Sequence, residues 1–417
     1  MVAWHRLIRS NSQDINTDLA ALFKPLEEQR TSYVKVARRN FVAVFTRPAY
    51  VRGIERLLDE LCPLYPCRFF LVQLDKRARD LDVRISARCF RVSKDMLACT
   101  EIVHLVVPPC LLETVPSILR AHFLPGMPAE MLLYGMQSGT VLRLESLICL
   151  VDRVILDSAE QNAELGDVQA LCAGGAVVVD LEWVRLGMWR KQLSSVFDLK
   201  SVQDCLPSLS ALDIQYGVKT LGSESLPANV LLLAGWLIHS LRWSVVAVAR
   251  DHYECIASDG RTAEVRVGIV SDSALSTPKL LSCRLDFTDG QDNTGLADAE
   301  LGSPGASPYI QLSSNGQLQT EFSMGTAVNS MVSNSTGSNS RESHSLVSCM
   351  SAPLGPQTAV ECIKHCFLFG DGVKSYNNAL DSAIELSDLG RGYLAGSCRA
   401  GSCRAGDSRT AGRFSPE

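Results

Sequence analysis

In its first half the chain alternates stretches of helical spacing with short apolar runs of strand length, and this alternation restricts the fold more than any other feature. Leu19, Leu22, Phe23 and Leu26 mark an amphipathic helix over Asp18–Gln29, and Ile54, Leu57, Leu58 and Leu61 mark another over Tyr50–Cys62. Phe41–Phe45, Arg68–Leu74, Val83–Val92, Cys99–Val107, Glu130–Tyr134 and Arg153–Leu156 read as strands. Helical patterns at Leu111–Ala121, Leu142–Leu150 and Ala159–Leu171 fall among them. Leu181–Phe197 closes the series with an apolar stripe of Leu181, Val184, Met188, Leu193, Val196 and Phe197, flanked by Trp183 and Trp189. The pattern predicts a helical lead-in over residues 1–34 and an α/β domain with a mixed sheet over residues 35–200.

The second half has another texture. Strand-like stretches at Leu212–Thr220, Ser244–Arg250, Tyr253–Ala257, Ala263–Val270 and Leu281–Phe287 are separated by short polar turns. Asp259-Gly260 and Asn315-Gly316 are hairpin signals. A buried helix is expected over Ala228–Leu241, and two more at Thr358–Phe369 and Ser375–Leu386. Residues 208–394 are therefore expected to form an α+β domain with an antiparallel sheet and a mobile Ser/Asn-rich loop at 323–345. Residues 395–417 repeat Ala-Gly-Ser-Cys-Arg and read as a disordered C-terminal tail, because small residues and arginine bury too little surface to offset ordering entropy.

Charge argues against nucleic acid as a partner. The chain holds 40 basic and 45 acidic residues, a net charge of −5, where phosphate-backbone binding needs a basic face. A stretch of Arg30, Lys35, Arg38, Arg39, Arg47, Arg52 and Arg56, interleaved with Tyr33, Phe41 and Tyr50, is the exception; it reads foremost as a solvated face. The longest apolar segment, Leu226–Ala249, is interrupted by Gly235, His239, Arg242 and Trp243, so no membrane span is expected. No secretory leader is expected, since Met1–Arg9 is followed by polar residues rather than an apolar run. Its 15 cysteines, an odd number, include Cys89, Cys99, Cys110, Cys149 and Cys172 lying singly in apolar runs. Reduced thiols and a cytoplasmic location are expected.

Reactive constellations are scarce. Neither phosphate-binding glycine motif occurs, and Ala173-Gly174-Gly175-Ala176 reads as a turn. Gly135-Met136-Gln137-Ser138-Gly139 has glutamine where a nucleophile elbow needs serine. Cys362, His365 and Cys366 sit within one helical turn, yet a zinc site needs a second close ligand pair; none is evident, and Cys398 and Cys403 of the tail are the remaining candidates, so a core helix is expected. Cys62 and Cys67 bracket Pro63 and Pro66 and suit a loop with buried thiols. Asp152 and Asp157 bracket a strand on opposite faces, and Asp157 or Ser158 reads as a helix cap or arginine partner, with Arg153 nearby. His104, His122 and His239 form no cluster. No catalytic, cofactor-binding or metal-binding residues are assigned.

Two segments are informative together. Asp180-Leu-Glu-Trp-Val-Arg-Leu-Gly-Met-Trp-Arg resembles the D-L-x-W-x-R-L-x-x-W-R pattern of the OpcA family of glucose-6-phosphate dehydrogenase assembly proteins, with Met188 at the family's proline. Asp152-Arg-Val-Ile-Leu-Asp-Ser is similar to that family's D-R-V-I-V-D-S strand. Leu231-Leu-Leu-Ala-Gly-Trp-Leu, followed by Leu241-Arg-Trp, resembles the helix that begins its second domain, and Asp371–Leu380, with Tyr376, its final helix. Where the family has a tryptophan pair this chain has Leu133-Tyr134.

The resemblance implies a non-enzymatic effector that binds glucose-6-phosphate dehydrogenase, the first enzyme of the oxidative pentose phosphate pathway, and promotes its active oligomer. Tryptophan and arginine are also the side chains most enriched at interface hot spots. The residues expected at an interface, with the partner or between domains, are Asp152, Arg153, Asp157, Asp180, Trp183, Arg185, Trp189, Arg190 and Trp236. Two turns of helix carrying Trp183, Arg185, Trp189 and Arg190 are expected to leave part of that set outside any single buried stripe. The alternative is an enzyme or small-molecule sensor with a pocket between the two domains.

Overall fold

The computed structural model describes residues 2–29, 31–35, 37–46, 48–135, 141–159, 165–219, 226–248, 252–273, 275, 278–288, 309–314, 318–324, 346–352, 358–369 and 373–402. The chain divides into two compact units, residues 1–191 with 353–377 and residues 192–352 with 378–417. The first break therefore falls inside the helix expected to close the first domain, and a later segment returns to the first unit.

In the first unit β1 (Val2–Ser10) leads to α1 (Ile15–Leu22), α2 (Lys24–Glu28), β2 (Ser32–Lys35), β3 (Asn40–Phe45) and α3 (Val51–Leu61). Then come β4 (Arg68–Leu74), β5 (Asp82–Ser93), β6 (Met96–Val107), α4 (Val115–His122), β7 (Ala129–Tyr134) and α5 (Glu145–Ile148). β8 (Arg153–Leu156), α6 (Leu165–Ala173), β9 (Val178–Asp180), α7 (Leu181–Arg185) and α8 (Gly187–Phe197) follow. The strands form one sheet in the order β1-β5-β6-β4-β3-β7-β8-β9, with β2 also on β6. From β6 to β9 all neighbours are parallel, while β5 and β1 add an antiparallel edge. The mixed α/β sheet expected of this region is what forms.

The lead-in departs from expectation, because Val2–Ser10 is a strand that pairs with β5 rather than helix. The closing helix is likewise broken, with α7 and α8 meeting at Leu186. Cys89 and Cys99 are not separate thiols. They are direct partners across β5 and β6 and form a disulfide, a pairing that two isolated apolar runs do not reveal.

The core explains the strand choice. β3 is buried from end to end, as a central parallel strand covered on both faces must be, and its run Phe41-Val-Ala-Val-Phe45 is uninterruptedly apolar. Phe41, Phe45 and Phe69 pack with Ile54, Leu57 and Leu61 of α3 and with Cys362 and Ile363 from the returning segment. β3 and β4 run one way across the sheet to β6, then the chain crosses back to place β7 on the other side of β3. The strand order thus reverses between β3 and β7, the switch point at which doubly wound sheets open a crevice beyond their carboxyl ends.

The second unit begins within α8. α9 (Lys200–Cys205), β10 (Leu209–Val218), α10 (Ala228–Leu241), β11 (Ser244–Val248), β12 (His252–Ile256), β13 (Thr262–Ser271) and β14 (Lys279–Phe287) follow. β15 (Tyr309–Ser314), β16 (Leu318–Met324) and β17 (Leu346–Ala352) complete an eight-stranded sheet in the order β11-β12-β13-β10-β14-β15-β16-β17. After it come α11 (Ala359–Phe369), in the first unit, and α12 (Val373–Ser402).

The sheet is mixed rather than antiparallel: β10 and β13 are parallel neighbours, because α10 and the β11–β12 hairpin intervene before the chain returns alongside β10. The Asp259-Gly260 turn joins β12 to β13 with Gly260 at φ 85°. β15 and β16 pair as the Asn315-Gly316 signal predicts, although those two residues lie outside the described ones. Residues 325–345 of the Ser/Asn-rich segment, and 403–417 of the tail, also lie outside them. α12 runs to Ser402, so the first Ala-Gly-Ser-Cys-Arg copy is helical where a disordered tail was expected. Among the described residues no helix is long and apolar enough to cross a membrane.

α10 is almost wholly buried, and Gly235 is the reason it can lie so close to α12. A Cβ at Gly235 would stand 2.4 Å from the Ala379 carbonyl oxygen and 2.7 Å from the Ala383 nitrogen. Both are backbone atoms of a helix and cannot swing aside. Gly235→Ala is expected to destabilise the second unit by roughly 1–3 kcal/mol, seen as a melting point several degrees lower.

Candidate functional site

The carboxyl edge of the first sheet is where a doubly wound fold would do chemistry. The turn that leaves β3 runs through Thr46, Pro48, Ala49 and Tyr50 into α3 and contains no glycine before Gly53. Gly53 and Gly135 both serve tyrosines. A Cβ on Gly53 would lie 3.0 Å from the Tyr134 hydroxyl, and one on Gly135, at φ 59°, would lie 2.3 Å from the Tyr50 ring. The two rings meet edge to face with centroids 5.3 Å apart. Backbone that could approach a pyrophosphate elsewhere is here packed against the chain's own side chains. Of the Gly135–Gly139 turn, residues 136–140 lie outside the described residues.

Beside the tyrosines, β8 and β9 deliver two carboxylates. They pair in parallel with Leu156 opposite Asp180, so Asp157 and Asp180 leave neighbouring strands together. Asp180 caps α7: its Oδ1 accepts from the Glu182 N–H at 3.0 Å and the Ser158 N–H at 3.1 Å, and its Oδ2 accepts from the Tyr376 hydroxyl at 3.1 Å. Arg185, one turn into α7, grips Asp157 with both terminal nitrogens at 2.8 and 2.6 Å and donates to Glu182 at 2.6 Å. Trp183 packs its ring 5.6 Å from that of Tyr376. The break at Leu186 lets Arg190 fold back, its guanidinium 3.5 Å from the Trp183 ring centre and donating to the Trp183 carbonyl at 3.0 Å.

Burial dominates the electrostatics. It lifts Asp180 to about 6, helped by the nearby charge of Asp157, and lifts Glu182 to about 7 against the opposing pull of Arg185. Burial alone would lower Arg185, but the hydrogen bonds and charges of Asp157 and Glu182 outweigh it and hold the guanidinium above its ordinary range. Arg190, which has no carboxylate partner among the described residues, is pulled down by burial to about 10. Burial and the neighbouring carboxyls thus push both Asp180 and Glu182 toward keeping a proton.

The nine residues expected at an interface are thus divided. Asp157, Asp180, Trp183, Arg185 and Arg190 form one connected cluster. Trp183 and Trp189 are only 4% and 5% exposed, with Arg190 stacked on the Trp183 ring, so of the four helix residues expected to fall partly outside one buried stripe it is Arg185 and Arg190 that stay half-buried. Asp152 and Arg153 lie at the opposite end of β8. Asp152 accepts from the Ala129 N–H at 2.8 Å, and Arg153 donates to Glu130, which also takes Arg39 at 2.6 Å. Asp157 therefore has an arginine partner, but it is Arg185 rather than its near neighbour Arg153. Trp236 belongs to α10 of the second unit and is half-buried.

Glu182, Tyr376, Tyr50 and Tyr134 were not singled out by sequence for these contacts. An aspartate directly before the apolar stripe of a helix is a capping signal, and it points to Asp180. Nothing local announces Tyr376, which is 196 residues from Asp180. The Cys362 thiol packs in the core beside Ile363 and is pushed by burial to about 12, which works against the thiolate a metal requires. The Cys366 side chain is outside the described ones, and no group of three metal-ligating side chains occurs among those that are described. Cys62 and Cys67 are buried, as expected of that loop.

Residues 176–307 match a family model for the C-terminal domain of a glucose-6-phosphate dehydrogenase subunit. A curated relative from Nostoc punctiforme, "Putative OxPP cycle protein OpcA", is 25% identical over 260 residues, which cover 58% of this chain and 54% of that protein. The match thus spans about half the length of that relative. Among solved structures, glucose-6-phosphate 1-dehydrogenase from Mycobacterium avium aligns with a TM-score of 0.51 and 10% identity over 84% of this chain and 90% of that one, a likeness of fold alone.

The raised carboxyls make stability depend on pH with a definite sign. Glu182 moves from an ordinary 4.5 to about 7 on folding, so the folded state holds its proton more tightly than the unfolded one. Its contribution is fully present below pH 4.5 and is lost as pH rises through about 7. Glu182→Gln keeps an acceptor for Arg185 and removes this dependence. Against the parent chain, the variant should gain stability between pH 5 and pH 8 by roughly 1–3 kcal/mol in urea unfolding. An unchanging difference across that range would contradict the assignment.

Proposed function

We propose, for a chain that belongs to the OpcA family, that it works without catalysis of its own, as a cytoplasmic effector that binds glucose-6-phosphate dehydrogenase and favours its active oligomer. The observation that carries this reading is the state of the switch-point edge. Asp157, Asp180 and Glu182 are committed to Arg185, to a helix cap and to Tyr376. Tyr50 and Tyr134 occupy the space in which backbone would have to meet a dinucleotide. A general acid or base needs a carboxyl free to exchange a substrate proton; Asp180 and Glu182 are engaged inside the fold, and Asp157, which borders a hollow at this edge, is held by both terminal nitrogens of Arg185. The scaffold is that of a nucleotide-binding enzyme with its chemical edge turned to internal packing.

Within this reading, Asp180, Trp183, Arg185 and Arg190 support the partner-binding form by holding the first unit in shape. They act through the fold more than by touching the dehydrogenase. A bidentate arginine lost from a buried site leaves an uncompensated carboxylate, which costs more than a surface contact.

Mixing tests the proposal. The purified chain is added in equal amount to the dehydrogenase of the same organism, and NADP reduction and co-elution are followed. Co-elution is expected, with the glucose 6-phosphate concentration for half-maximal rate falling about fivefold or more, the lower end of coupling between sites. Unchanged kinetics together with separate elution would refute it.

A further inference from the structure

Next to the packed tyrosines a hollow of about 210 Å³ remains, lined within the first unit by α3, the end of β7, Asp157, Leu181 and α11. One water needs roughly 10–15 Å³ of such space, and an apolar cavity of about 150 Å³ accepts benzene. The hollow is therefore large enough for a ring and a short substituent. Much of its wall is apolar, with Leu57, Leu133, Val360 and Ile363 among its side chains.

Its one lining cation is solvent-exposed and has no protein partner among the described residues. Arg56 lines the hollow and makes no hydrogen bond or ion pair among the described residues, and neither does Arg52, one turn earlier on α3. Stacking two like charges at this spacing disfavours a helix, and the acidic residues nearby are already engaged. Glu55 and Asp59 face Arg88, Glu60 is 3.8 Å from Lys364, and Asp157 is held by Arg185. At the same edge Thr46, which follows β3, has a buried hydroxyl with no partner among the described residues. An apolar chamber with a solvent-exposed guanidinium in its lining, free of protein partners among the described residues, has the makings of a ligand site.

We propose that this hollow binds a small organic anion. An aromatic or branched aliphatic body lies against Leu57, Leu133, Val360 and Ile363, and an oxyanion head is taken by Arg56, with Arg52 adding to the local field. The site lies wholly inside the first unit, and the assignment stands independently of the dehydrogenase as partner. A ligand there would wedge β7, α3 and α11 in one arrangement, and so stabilise the unit that holds it.

Calorimetry and thermal melting of the full chain with defined probes test this. Benzoate and phenyl phosphate carry the proposed chemistry with the two kinds of head, and their relative affinities identify which one the site prefers. Benzylamine has the ring with the opposite charge, and inorganic phosphate has the charge without the ring. Saturable binding of at least one aromatic anion is expected, with a rise in melting point and little response to the other two probes. Arg56→Gln should weaken that binding about tenfold, as loss of a charge-assisted contact does. Glu60→Gln, which removes a negative charge from the wall, should strengthen it, and Val360→Trp should block it by filling the hollow. If Val360→Trp fails to fold, the Arg56 and Glu60 variants still decide the matter. Absence of saturable binding by both anions, equal binding of benzylamine, or an Arg56→Gln affinity equal to the parent's would overturn the proposal.

Discussion

Arg185 and the carboxyl groups that meet it set the terms for the carboxyl edge of the first sheet. An ionised carboxylate in the interior is tolerated only when it is hydrogen-bonded and its charge is answered. Asp157 gains a two-pronged guanidinium, Asp180 gains two backbone N–H groups and a tyrosine hydroxyl, and Glu182 shares the arginine. Each of these contacts fixes an element: the end of β8, the start of α7, the position of Tyr376 at the head of α12. The segment Asp180-Leu-Glu-Trp-Val-Arg is compact because one turn of helix must supply a cap, a carboxyl and a guanidinium to the same small volume.

This arrangement fills the switch point of a doubly wound sheet with the chain's own side chains. Such sheets open a crevice where strand order reverses, and they expose backbone there by means of glycine. In this chain Gly53 and Gly135 make room for Tyr134 and Tyr50 instead. Under the proposed role, the fold supplies rigidity and shape at the place where an enzyme would supply reach. Fold likeness to a dehydrogenase says nothing of activity in itself; the engaged side chains are what separate the two readings.

Much of the architecture was legible in the sequence because burial leaves periodic marks. The apolar runs of β3 and β4 and the stripe of α3 are such marks, and so are the Asp259-Gly260 turn and the apolar run Val230–Ala234 of α10. β9 escaped notice because it has only three residues, Val178–Asp180, between a turn and a helix. β1 escaped because its outward residues are largely exposed, and an exposed edge strand need show no apolar face. The parallel pairing of β10 with β13 depends on what lies between them in the chain, which strand propensity does not report. The site was half legible. A resemblance drew attention to Asp180, Trp183, Arg185 and Arg190, and their roles as cap, stack and ion pair came only from three-dimensional proximity to Asp157 and Tyr376. Helical spacing did not show the break at Leu186, which lets Arg190 fold back onto Trp183.

That the chain's own side chains close the switch-point edge to a dinucleotide, leaving a hollow beside the tyrosines, is the claim on which the rest depends. Titration of the full chain with NADP, followed by calorimetry, tests it most directly. The account predicts no saturable binding even at millimolar concentration. Stoichiometric binding in the micromolar range would show that the crevice admits a dinucleotide after all, and would contradict it.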